Sequence, residues 1–228
     1  YYNWQFVWVK AGTASMSLVQ SHYKGNPAYR AALLTSGSEQ ADRYFVLRDT
    51  ILCYSSLGLE PLYFRKGSRH DKHTVDEVFY SYANNKPTLK QHRQRRDGEH
   101  EWKTTTFNEC VYDMLNIVLR ARSFNPEGWK YGNMISFTIA DGGHIQKALI
   151  RYNGKKVIKA DNGKKYRCLE LSYLEQEENK NKEIIRFFVT DDSNHVPIRL
   201  DMFLKFGSAK AFLVGMKGVK NSITSEVQ

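Results

Sequence analysis

The stretch Ile184 to Phe206, IIRFFVTDDSNHVPIRLDMFLKF, constrains the fold more than any other. In its second half Val196, Ile198, Leu200, Met202, Leu204 and Phe206 alternate with Pro197, Arg199, Asp201, Phe203 and Lys205. Successive strand side chains point to opposite faces, so the first set makes one apolar face and the second a mostly polar, wet one. That is the pattern of an antiparallel strand with one side on a core. Ile184 to Thr190 is apolar on both faces and predicts a more buried strand. Asp191, Asp192, Ser193 and Asn194 are turn formers, because short polar side chains bond nearby backbone. Pro197 lacks an N–H and belongs at a strand start or an edge.

Similar punctuation recurs along the chain. Trp4, Phe6 and Trp8 alternate with Gln5, Val7 and Val9, and Ala11-Gly12 predicts a bulge or bend. Gly25-Asn26-Pro27, Asp141-Gly142-Gly143, Asn153-Gly154 and Asp161-Asn162-Gly163 predict turns between strands. Val75–Tyr82, Thr88–Arg95 and Glu99–Phe107 read as a polar meander turning at Asn84-Asn85 and Asp97-Gly98. Asp42 to Ser55 fits either a short helix from Asp42 or a strand over Tyr44 to Tyr54. Glu175 to Lys182 reads as a charged loop. Aromatic residues are 13% of the chain, which favours strands over helices.

One segment is helical. In Asn108 to Arg122, the residues Cys110, Val111, Met114, Leu115, Val118 and Leu119 recur at three- and four-residue steps. Asn108 is the expected N-cap, with Arg120 and Arg122 in the last turn. The expected fold is therefore mainly β. It is a large curved antiparallel sheet or partly closed β-barrel, with one principal α-helix over about 108–122 packed against it. A chain of 228 residues suits one such domain, 1–228.

The formal net charge is +10, which fits an anionic partner, such as nucleic acid, lipid or glycan, or simple solubility. The basic residues between Lys86 and Lys103 are interrupted by Asp97, Glu99 and Glu101, as on a solvated strand face. No helix-turn-helix, zinc-finger or RNP-type pattern supports nucleic acid. No apolar run approaches the ~20 residues of a membrane-spanning helix. The chain opens directly on a strand without an initiator Met, as a mature chain that has lost a signal peptide does, or a trimmed one. Cys53, Cys110 and Cys168 lie among apolar neighbours and read as buried thiols, with one disulfide as the alternative.

Catalytic and metal motifs are weak. His70-Asp71-Lys72-His73 offers two imidazoles without a third ligand. Gly142-Gly143-His144 lacks the strand–loop–helix setting and Lys of a phosphate loop. No G-x-S-x-G is present, and Ser55-Ser56 has no evident base. No cofactor is indicated. Two groups remain as candidates. Trp4, Trp8 and Met114 are expected to line an apolar cavity in the curved sheet, with the helix as its lid, although the same aromatics also suit plain core packing. Asp191, Asp192, His195 and Arg199 form a polar cluster at the turn, where a surface turn is the plain alternative.

Phe6-Val7-Trp8-Val9-Lys10-Ala11-Gly12-Thr13-Ala14, Gly58-Leu59-Glu60-Pro61-Leu62-Tyr63-Phe64, Tyr112-Asp113-Met114-Leu115 with Leu119-Arg120, and Thr190 to Arg199 followed by Gly207-Ser208 and Lys217-Gly218 run in order over nearly the whole chain. Together with Tyr152 to Lys156 they resemble a bacterial family of exported proteins of unassigned activity, domain of unknown function 3108. The resemblance implies an export signal and a place in the periplasm or envelope of a Gram-negative-type bacterium. It brings no reaction and no catalytic residues. The sheet-plus-helix pattern is also similar to the lipoprotein-carrier half-barrels of the periplasm, a likeness of fold alone.

Three functions follow. The first is a non-enzymatic envelope module binding an apolar or amphipathic ligand such as lipid, or an anionic envelope component. The second is a hydrolase of envelope glycan or lipid using Asp113, Asp191, Asp192, His195 or Arg199. The third is an assembly protein acting through a sheet edge.

Overall fold

The computed structural model describes the chain except residues 7–8, 40–47, 70–72, 85, 178–179 and 205–206. Trp8, most of the His70–His73 segment and Tyr44 therefore lie outside the described residues. The chain divides into two compact units. The first comprises Tyr1–Ala14, Arg122–Ser136 and Lys147–Gln228, and the second Ser15–Ala121 and Phe137–Gln146.

The fold is mainly β, as the alternating pattern predicts. The strands are β1 Tyr2–Phe6, β2 Val9–Tyr23, β3 Asn26–Gly37, β4 Asp49–Ser55, β5 Pro61–Arg69, β6 His73–Ala83, β7 Lys86–Gln94 and β8 His100–Thr106. They continue with β9 Val111–Tyr112, β10 Met134–Asp141, β11 His144–Lys159, β12 Lys165–Glu177, β13 Lys180–Thr190, β14 Pro197–Leu204, β15 Gly207–Leu213 and β16 Glu226–Val227. The strands β2, β10 and β11 each carry residues of both units.

In the second unit the order runs β8-β7-β6-β5-β4-β3-β2, and β9 pairs in parallel with β10. The strand order ends at β8 and at β9. Its core gathers Ala31, Ile51, Cys53, Phe64, Val78, Tyr80, Leu89, Val111 and Leu119, with Met114 packed against them. In the first unit the order is β2-β1-β15-β14-β13-β12-β11, with β16 on β12. Tyr2, Trp4, Ile198 and Leu213 are buried there. The extra residue in β2 falls at Ala11, between the register partners Gly12 and Lys10, as Ala11-Gly12 predicts.

The helix is shorter than its sequence pattern. The helix α1 covers Asn116–Arg122, not 108–122. Val111 and Tyr112 are drawn off to pair with Thr138 and Ile139, which ends any helix through them. The N-cap is Asp113 rather than Asn108: its Oδ1 accepts the N–H groups of Leu115 and Asn116 at 3.1 and 2.9 Å.

Over its described residues, Ile184–Leu204, the hairpin forms with Ile185 opposite Met202 and Val189 opposite Pro197, where β14 starts. Ile184–Phe187 are half-buried, and only Phe188–Thr190 are fully buried. Its second face is less wet than the alternation predicts, because Asp201 is only 7% exposed. Arg199 binds Asp201 through Nε and Nη2 at 2.7 and 2.6 Å, which neutralises both charges. The Arg199 guanidinium also lies 5.3 Å from the ring centres of Phe188 and Phe212. Asn153-Gly154 is not a hairpin turn. One strand, β11, runs through it with a register shift between Tyr152 and Lys155, and Gly154 takes φ +100°. The expected loop at 175–182 is shorter too, since β12 and β13 extend the pairing to Glu177 opposite Lys180. All three cysteines are free thiols. Burial pushes Cys53 up strongly and Cys168 to about 12, so both are inert.

Candidate functional site

The second unit holds a cleft that follows directly from strand register. Phe64 pairs with Val78, Val78 with Gln91, and Gln91 with Lys103. One such row crosses four strands on a single face. Two residues along, Lys66, Asp76, Arg93 and Glu101 form a second row on that face, alternating in charge. On the other side Tyr80 and Leu89 belong to the core. The face therefore grades from apolar core, through Gln91, to a ladder of opposite charges.

A cleft of about 450 Å³ opens on this face. Phe64, Val78 and Ala140 give it an apolar wall, and Gln91, Arg93 and Lys103 supply polar groups. The β10–β11 turn closes one side. Gly142 and Gly143 take φ +52° and +81° there, and Arg93 Nη1 donates to the Gly142 carbonyl at 3.2 Å. Arg93 Nε lies 3.5 Å from Asp76 Oδ1, which has no hydrogen-bond partner. Burial raises the Asp76 carboxyl above its ordinary value, against the pull of Arg93 and Lys66.

Gln91 decides the character of the cleft. It is 4% exposed, and neither Nε2 nor Oε1 has a hydrogen-bond partner. An unpaired buried amide is costly, so native proteins seldom keep one without a use. The position carried a sequence signal that periodicity alone did not raise. Gln91 shares its parity with Leu89, a core residue, so a polar side chain occupies an apolar place.

On the opposite parity a hydrogen-bonded chain runs through Tyr63, Glu77, His92 and His100. Tyr63 donates to Glu77 Oε1; His92 Nδ1 is 2.8 Å from Glu77 Oε2, and His92 Nε2 is 2.8 Å from His100 Nδ1. Trp102 stacks on His92 at 4.2 Å, and Lys90 lies 4.6 Å from the Trp102 ring centre. Burial pushes the Glu77 carboxyl up, but the bonds from Tyr63 and His92 and the Arg65 charge outweigh it and hold it low.

The described residues among those singled out in the sequence sit elsewhere. Trp4 is buried in the first unit, in register with Gly12 and Ala211. Met114 packs against the second unit's core. Asp191 binds Arg167 Nε and Lys155 Nζ, each at 2.8 Å. Asp192 accepts from Thr190, Asn194 and Ser225. His195, at φ +44°, places Nδ1 2.7 Å from the Arg122 carbonyl, and Arg122 Nε donates to the His195 carbonyl at 2.8 Å. Each of these turn residues is engaged with a scaffold partner, and Arg199 lies on β14 with Asp201. Among the described residues no group of three or more His, Cys, Asp or Glu is placed to hold a metal. No helix among them is long and apolar enough to cross a membrane.

Comparison with known proteins adds a family and a fold. The model of a protein family of unknown function, DUF3108, matches residues 1–214. The chain belongs to the DUF3108 family. No curated protein matches this DUF3108 chain. Among solved structures it is similar to the crystal structure of a beta-barrel-like protein of domain of unknown function DUF1849 from Brucella abortus. The two are 11% identical over 93% of each chain, with a TM-score of 0.53. At that identity the DUF3108 chain shares a fold with it and nothing finer.

Proposed function

We propose that the chain is a non-enzymatic binding module of the bacterial cell envelope, and that the cleft of the second unit holds an amphipathic ligand such as a lipid. The observation that carries this reading is the Gln91 amide, buried and unpartnered where the apolar wall meets the charged row. A ligand with an apolar body would cover Phe64, Val78 and Ala140, and its polar head would satisfy Gln91. The charged side chains of the cleft face alternate in sign across the strands, which suits holding a polar head more than acid–base chemistry. Export and an envelope location rest on the family resemblance, and the net charge of +10 favours an anionic surface nearby. Trp4 and Met114 enter this reading as packing residues, not as the lining of the cleft.

Gln91→Leu tests it. Removing an unpaired buried amide should stabilise the ligand-free protein by roughly 1–3 kcal/mol. That is a rise in Tm of about 2–12 °C for a chain of this size. The same variant should lose the ligand. A purely structural Gln91 gives the reverse result, a less stable variant, and that result sinks the proposal.

A further inference from the structure

The edge of β8 is built to pair with itself. Arg95 N donates to the Glu99 carbonyl at 2.9 Å, and Phe107 N donates to the Pro87 carbonyl at 2.9 Å. Both contacts continue the β7–β8 register, in which Gln91 faces Lys103 and His92 faces Trp102. Hydrogen-bonded and non-hydrogen-bonded pairs alternate in an antiparallel ladder. Glu101, Lys103 and Thr105 therefore turn their backbone groups toward β7. His100, Trp102, Thr104 and Thr106 turn theirs away from it, and β8 is an end of the strand order. Every residue of β8 except Thr105 is exposed, and Trp102 is 54% exposed.

We infer that β8 pairs antiparallel with β8 of a second copy of this chain, about a two-fold axis at Trp102. In that register Trp102 faces Trp102 of the second copy, and His100 faces Thr104. These residues carry the outward backbone groups, so each pair exchanges both its N–H···O bonds. On the other parity Glu101 faces Lys103 of the second copy, and Lys103 faces its Glu101. Charges usually blunt an exposed edge. Here the Glu-x-Lys spacing makes them self-complementary, and the contact is isologous and closed. Glu101 also pairs with Arg95 of its own chain, but both side chains are about half exposed, at 47% and 49%, and such a surface pair holds weakly. One strand pair is a small interface, so the dimer forms with rising concentration.

Sedimentation equilibrium over a wide concentration range tests the inference, with circular dichroism to confirm that each variant is folded. Wild type should dimerise. Glu101→Lys should weaken the dimer about tenfold or more, and Glu101→Lys with Lys103→Glu should restore it. Thr104→Pro removes one outward N–H without touching the β7 ladder and should also give a monomer. A wild type that stays monomeric overturns the inference. So does a double variant no better than Glu101→Lys, or a Thr104→Pro protein that still dimerises.

Discussion

Replacing Asp113 with Ala should destabilise the protein by about 3–5 kcal/mol, a large fraction of the roughly 5–15 kcal/mol stability of a typical domain. Asp113 is fully buried. Its Oδ1 caps α1 through Leu115 N and Asn116 N, and Oδ2 accepts Asn116 Nδ2 at 2.6 Å and the Tyr80 hydroxyl at 3.2 Å. The cap alone is worth about 1–2 kcal/mol. Each buried donor left unpaired, on Tyr80 and on Asn116, adds about 1–3 kcal/mol, and the terms overlap. A helix of seven residues does not form without its packing and cap, so Leu119 loses its place in the core with it. Denaturant unfolding of the variant measures the loss, and a change below about 1 kcal/mol contradicts the account. The same carboxyl sets a pH dependence. Burial pushes it up to about 6, and its hydrogen bonds only partly offset that. The folded pKa lies above the unfolded value of 3.8, so this contribution is full below 3.8 and lost as pH rises through about 6. Its size is roughly 3 kcal/mol. Asp113→Asn should remove that slope from the stability profile.

Asp192→Ala should cost about 2–4 kcal/mol and release the C-terminal segment of the first unit. Asp192 Oδ1 accepts Thr190 Oγ1 at 2.9 Å and Asn194 N at 3.0 Å, and Oδ2 accepts Ser225 Oγ at 2.7 Å. Ser225 is fully buried, and its carbonyl accepts Arg167 N at 2.7 Å. Asn194 adds a reciprocal clasp: Nδ2 donates to the Asn221 carbonyl, and Oδ1 accepts Asn221 N. The variant leaves the Ser225 hydroxyl unpaired and loosens β16, which is held on β12 at Lys165 and Tyr166. Limited proteolysis should cut after about residue 214 in the variant and spare the wild type; identical digests contradict this role. Burial raises the Asp192 carboxyl, but its hydrogen bonds outweigh that and hold it below 3.8. Its contribution is therefore present above 3.8 and lost as pH falls through the lower folded value.

Strand patterning made most of the fold legible. The parity of Val196, Ile198 and Pro197 located β14, and Ala11-Gly12 marked the bulge in β2. Local signals failed where a long-range partner overruled them. Val111 fits the helical period and Tyr112 falls inside the expected helix, but pairing with β10 claimed both. Asn153-Gly154 fits a hairpin, yet the strand continued against β12 with a bulge. Arg199 and Asp201 look solvated singly; two residues apart on one face of β14 they pair, which buries Asp201 and half-buries Arg199 against the rings of Phe188 and Phe212. The cleft was the least legible part. Its character depends on Gln91 facing Val78 and Lys103, two strands from other parts of the sequence, and on the absence of a hydrogen-bond partner. The turn from Asp191 to His195 drew notice because it is rich in polar groups; Asp192 and Asn194 hold the C-terminal segment, Asp191 binds Arg167 and Lys155, and His195 binds Arg122.

Native mass spectrometry of protein purified without detergent from its own host tests the central claim most directly. Wild type should carry a reproducible added mass that extracts into organic solvent, and Gln91→Leu should run at its bare chain mass. A clean unliganded mass for the wild type, or the same adduct on both proteins, contradicts a ligand held at Gln91.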